Sequence, residues 1–97
     1  MKIKDLQIIR ANRFVYCKIF TDNGLVGLGE SGACGFLEAS AAVLKTFREY
    51  LIGKDPLQIE HHWQYLYRFS HFRGAAIMGA VSAVDIALWD IKGKYFN

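Results

Sequence analysis

The sequence predicts an α+β fold, a three-stranded antiparallel β meander followed by three helices, and three observations carry that prediction. Val15, Cys17 and Ile19 alternate with Tyr16, Lys18 and Phe20 at the period of a half-buried strand. Asp22-Asn23-Gly24 supplies residues that tolerate positive φ, and apolar patterning resumes at Leu25, so a tight hairpin is expected there. After the glycine-rich stretch 27–35 the apolar period changes from that of a strand to that of a helix.

Taken in order, the first strand runs over 2–10 and the second over 14–21, joined by the short connection Ala11-Asn12-Arg13, and the third covers 25–30. Ala39, Ala42, Val43, Thr46, Phe47 and Tyr50 fall at helical spacing, which places the first helix over about 36–52, with Gly53 ending it. Asp55-Pro56-Leu57-Gln58 reads as a helix start: an acidic cap, a proline suited to the first turn and a glutamine that can complete a capping box. The second helix carries Ile59, Trp63, Leu66 and Tyr67 on one side. In the third, over about 75–95, Ile77, Val81, Val84, Leu88 and Ile91 form one stripe, while Met78, Ile86 and Trp89 widen the apolar surface. Three strands and two short helices cover one face of such a helix, so a second body of protein is expected on the rest.

The 97 residues, 53% hydrophobic and 22% charged, make a single domain over 1–97 with one modest core, too short for a barrel of eight strands and eight helices. The net charge of +3 comes from scattered basic residues without a phosphate-tracking run, which argues against nucleic acid. No segment approaches the ~18 apolar residues of a membrane span, and MKIKDLQIIR is charged too early for a signal peptide. A cytoplasmic location, with Cys17 and Cys34 as reduced thiols, is the expectation.

Several patterns invite chemistry and fit bland roles better. Gly27-Leu28-Gly29-Glu30-Ser31-Gly32 matches a dinucleotide fingerprint, but it follows a meander strand and Glu30 would oppose phosphate, so it reads as a glycine-permitted strand exit. The pairs Lys2/Lys4 and Lys92/Lys94 read as solvated charges at a chain end and a helix C-terminus. His61, His62 and His71 lack metal-ligand spacing. Asp90 is expected to pair with Lys94, and Asp85 to bond a donor at a packed interface.

Four stretches in register carry a resemblance across the whole chain. They are the opening strand, Lys18 to Glu30, Leu51-Ile52-Gly53-Lys54-Asp55-Pro56, and Ala80 to Lys94, AVSAVDIALWDIKGK. Together they resemble the N-terminal capping domain of the mandelate racemase and muconate lactonizing branch of the enolase superfamily. Trp63 to Arg68 followed by His71-Phe72-Arg73-Gly74 is most similar to the acid-sugar dehydratases acting on galactonate, gluconate and mannonate.

The resemblance implies an enzyme in which a base removes the proton α to a carboxylate and Mg²⁺ stabilises the enediolate. It places the metal ligands and acid–base groups on a C-terminal (β/α)-barrel, so this chain is expected to hold no catalytic or metal-binding residue and to be inactive alone. Its implied role is to close the barrel mouth through two loops, here Ala11 to Phe14 and Ser31 to Leu37. The implied substrate-facing residues are Arg13, Cys34, Phe72 and Arg73, with an acid sugar, the barrel and further copies of the protein as partners. The alternatives are a capping domain of a racemase or cycloisomerase, or a stand-alone module that binds or dimerises through the third helix; the isolated chain is expected to self-associate, with Met78, Ile86 and Trp89 as contacts.

Overall fold

A computed structural model describes residues 1–32, 36–69 and 71–97. Strands β1 (Ile3–Ala11), β2 (Phe14–Thr21) and β3 (Val26–Ser31) form an antiparallel sheet in the order β1-β2-β3. Helices α1 (Leu37–Leu51), α2 (Ile59–Arg68) and α3 (Ala75–Tyr95) follow. The expected α+β order is therefore the observed one.

Register follows from which side chains must be buried. Leu6 faces Ile19 and Ile8 faces Cys17 across β1 and β2, so one face of the sheet collects Leu6, Val15, Cys17, Ile19 and Thr21. Asn12, at φ +59°, turns the first hairpin, and Gly24, at φ +90°, turns the second. In the second turn the Thr21 hydroxyl donates to Leu25 O at 2.8 Å. The N-terminal edge is tied down as well: Ile3 N–H donates to Lys54 O and Gly53 N–H to Ile3 O, at 2.9 and 2.8 Å.

Helix α3 lies on the inner face of β3, and glycine makes this possible. A Cβ at Gly27 would sit 2.1 Å from Ala87 O, and one at Gly29 would sit 1.9 Å from Ala83 O. The facing residues on α3, Ala80, Ala83 and Ala87, are small and fully buried. The glycine pattern is thus a helix–sheet contact rather than the expected strand exit. Its partners lie more than fifty residues away in sequence, beyond the reach of local patterning.

Two further expectations change. The buried face of α1 is Ser40, Leu44, Phe47 and Leu51, so of the six residues assigned to its stripe only Phe47 is fully buried, with Ala39, Ala42 and Thr46 exposed. Alanine tolerates either side of a helix, and Ser40 is admitted to the core by its hydrogen bonds. Asp55 does not cap α2. Its Oδ1 accepts Leu57 N–H at 2.9 Å, its carbonyl accepts Gln58 N–H at 3.3 Å, and the helix begins four residues later with no side-chain cap from Gln58. An aspartate bonding two residues ahead closes its own turn, and that turn uses up the segment read as a helix start.

In α3, Val81, Val84, Leu88 and Ile91 are buried as expected and Ile77 packs beside them. Met78 also packs against the core, whereas Ile86 and Trp89 stand 47% and 54% exposed. The widened apolar surface therefore rests on the latter two. No helix among the described residues is long and apolar enough to cross a membrane.

Candidate functional site

Three segments gather at one end of the sheet. The β1–β2 hairpin tip, Asn12 and Arg13, lies beyond the last pair, Ala11 and Phe14, and Val15 pairs with Ser31 at the end of β3. The Ser31 and Ser40 hydroxyls approach to 2.6 Å, and Ser40 also donates to Ala76 O at 3.3 Å. This buried polar link joins the end of β3 to the first turns of α1 and α3. The Arg10 guanidinium and the Glu38 carboxylate form an ion pair from β1 to the start of α1.

Sequence reasoning missed the two serines. Their signal was weak: Ser40 is a small polar residue on a face that otherwise carries Leu44, Phe47 and Leu51.

Arg13 stands exposed at the hairpin tip. The turn is only two residues long, so it projects a short arm past the sheet end. Phe72 is exposed just before α3, in the segment where His71 and Gly74 take φ of +69° and +129°. Arg73 does not pair with it. Its guanidinium lies over the Tyr67 ring at 4.3 Å, its Nη1–H donates to His71 O at 3.0 Å, and Tyr67 in turn stacks on Trp63 at 4.9 Å. That arrangement fixes the Arg73 guanidinium against α2, as cation–π contact and a backbone acceptor together restrict a long side chain. Cys34, the fourth expected substrate-facing residue, lies outside the described residues. Arg13, Phe72 and Arg73 are thus borne on separate segments, and the Arg73 guanidinium already has the Tyr67 ring and His71 O as partners.

Several titratable groups elsewhere are structural. His62 is buried, its Nε2–H donating to Asp55 O at 2.8 Å, which leaves Nδ1 to accept from the Tyr50 hydroxyl at 2.9 Å. Burial holds its pKa below the ordinary value. The Arg48 side chain donates to Asp5 at 2.6 Å and to Leu6 O at 3.1 Å, and its hydrogen bond keeps the Asp5 carboxyl low. Burial pushes the Cys17 thiol up to about 12, which leaves it protonated and unreactive at neutral pH. Asp90 pairs with Lys94 at 3.2 Å as expected and also accepts Leu28 N–H at 3.0 Å. Lys94 donates to Val26 O at 2.7 Å, so it clamps α3 to β3 rather than standing free in water.

Among the described residues no group of three or more His, Cys, Asp or Glu side chains is placed to hold a metal ion. The carboxylate set that Mg²⁺ requires is not matched by these residues, and no catalytic step through the metal is assigned to them.

Comparison with known proteins agrees with the architecture. Residues 5–97 match the mandelate racemase / muconate lactonizing enzyme N-terminal domain. Two D-galactonate dehydratases, from Verminephrobacter eiseniae and Variovorax paradoxus, are 45% and 47% identical over 97% of this chain. The chain spans about a quarter of the length of each, 25%. An enolase from Agrobacterium radiobacter, solved with sodium and L-malate bound, superimposes with a TM-score of 0.94 at 32% identity, covering 100% of this chain and 26% of that one. A member of the enolase superfamily from Salmonella Typhimurium gives 0.90 at 34% identity over 98% of this chain and 26% of its own. The chain belongs to the mandelate racemase / muconate lactonizing enzyme N-terminal domain family of the enolase superfamily, and the two sequence relatives named above are D-galactonate dehydratases.

Proposed function

We propose that this chain is the substrate-capping domain of a cytoplasmic, Mg²⁺-dependent sugar-acid dehydratase whose catalytic groups lie in a C-terminal (β/α)-barrel. The observation that carries this reading is the pairing of high identity to D-galactonate dehydratases along nearly the whole chain with coverage of only 25% of their length. In such an enzyme a proton α to the carboxylate and a hydroxyl on the neighbouring carbon are lost, leaving a keto acid. The bound metal supplies stabilisation of negative charge on the carboxylate oxygens.

This chain's residues select rather than transform. The hairpin tip with Arg13, the end of β3 and the segment before α3 with Phe72 and Arg73 form the lip that faces the substrate. The brevity of the tip leaves room for a long polyhydroxy acid.

Arg13→Ala or Arg73→Ala in the full-length enzyme should raise KM for D-galactonate about tenfold or more, the effect of losing one charge-assisted hydrogen bond. Metal affinity should stay unchanged. Steady-state kinetics on D-galactonate, D-gluconate and D-mannonate, with Mg²⁺ titrated separately, test this. Unchanged KM on all three acids removes the arginines from the lip, and weakened metal binding contradicts the division of labour.

A further inference from the structure

Helices α2 and α3 leave between them a groove of about 290 Å³ lined by Ile59, Glu60, Trp63, Asp85 and Trp89. Its walls mix the apolar Ile59, Trp63 and Trp89 with two carboxylates, Glu60 from α2 and Asp85 from α3. Asp85 is partly buried, and among the described residues no donor bonds it, contrary to the sequence expectation. Burial foremost, and the Glu60 charge beside it, push its carboxyl above the ordinary range. Lys92, the cation on the same stretch of α3, lies over the Trp89 ring at 4.8 Å and forms no ion pair with either acid.

The same side of α3 carries an apolar ridge. Ile86, Trp89 and the C-cap residue Phe96, at helical spacings of three and seven, are all largely exposed, Phe96 at 69%. An apolar ridge beside a partly buried carboxylate with no donor among the described residues suits an interface whose other half carries positive charge.

The chemistry of the groove selects the occupant. A guanidinium is planar, lies against indole faces and donates to carboxylates in pairs, and it sheds water more readily than an ammonium. A second copy of this chain would bring its own +3 charge and the same two acids. The dehydratase relatives, by contrast, have three further quarters of polypeptide to cover α3.

We propose that the groove between α2 and α3 seats an arginine side chain from the remaining portion of the same polypeptide, with Ile86, Trp89 and Phe96 as the surrounding apolar contact. This rests on the chain being the capping part of a longer enzyme. The salt link then couples the lip to the catalytic portion and holds the capping part in register over it.

The test is thermal unfolding of the full-length gene product with Asp85→Asn, which keeps the side-chain shape and removes the charge. Asp85 has no donor among the described residues and the charge beside it is Glu60, so within these residues the substitution relieves repulsion rather than breaking a bond. The expected result is a midpoint lowered by about 5 °C or more, independent of protein concentration. An unchanged or raised midpoint overturns the proposal. A loss that grows with protein concentration assigns the groove to a second copy and also overturns it. Should Asp85→Asn fail to fold, Glu60→Gln is expected to lower the midpoint by a smaller amount, and no change there is contradictory. Sugar-acid turnover by the unmutated protein is measured alongside. Its absence counts against the dehydratase reading alone, since the midpoint comparison does not depend on activity.

Discussion

Gly29→Ala should destabilise the fold by about 3 kcal/mol or more, beyond the usual cost of one added methyl group in a packed core. The new Cβ would lie 1.9 Å from Ala83 O, a backbone atom that cannot rotate aside, so α3 must lift from β3 to admit it. Lifting α3 also strains the Lys94 bond to Val26 O and the Asp90 bond to Leu28 N–H, which pin the same two elements. Natural stability is about 5–15 kcal/mol, so the variant should show a greatly lowered urea midpoint or no cooperative transition. Gly32→Ala is the matched control, because nothing lies within 4 Å of its Cβ position. A Gly29→Ala midpoint equal to that of the control would contradict the close helix–sheet contact.

His62→Ala should cost about 2–4 kcal/mol, since it empties a buried site and strands the Asp55 carbonyl and the Tyr50 hydroxyl. A pH dependence accompanies it. The folded-state pKa of His62 is depressed, chiefly by burial, from an ordinary value of 6.5. The neutral ring's contribution is therefore complete above pH 6.5 and is lost as pH falls from there through the folded value. Asp5 loses its own contribution only in more acidic solution, below its ordinary value of 3.8. Denaturant midpoints between pH 8 and 5 should accordingly decline on the acid side in the parent, and the decline should flatten in His62→Phe. A parent midpoint that rises with acidification over this range would contradict the neutral buried ring.

Local pattern carried the architecture because strand alternation, hairpin residues and helical stripes are all short-range signals. Val15, Cys17 and Ile19 alternate over a few residues, and Asp22-Asn23-Gly24 turns within its own length. The misreadings share a cause in long-range contact. Gly27 and Gly29 answer to Ala87 and Ala83, and Ser40 is buried because Ser31 and Ala76 receive it. Asp55 bonds forward to Leu57 and, through its carbonyl, to His62, so a segment with every mark of a helix start became a separate turn. At the candidate site, the shortness of the first hairpin already located Arg13 at a tip. The stacking of Arg73 on Tyr67 was not legible, because it depends on the path of the chain between α2 and α3.

The proposed capping role requires that the catalytic groups lie elsewhere in a longer polypeptide. Keto-acid formation from D-galactonate with added Mg²⁺, measured for the full-length gene product and for the 97-residue chain under the same conditions, tests it most directly. Turnover is expected from the full-length protein and none above background from the 97-residue chain alone. Turnover by the isolated chain, or a full-length protein inactive on every sugar acid supplied, would contradict it.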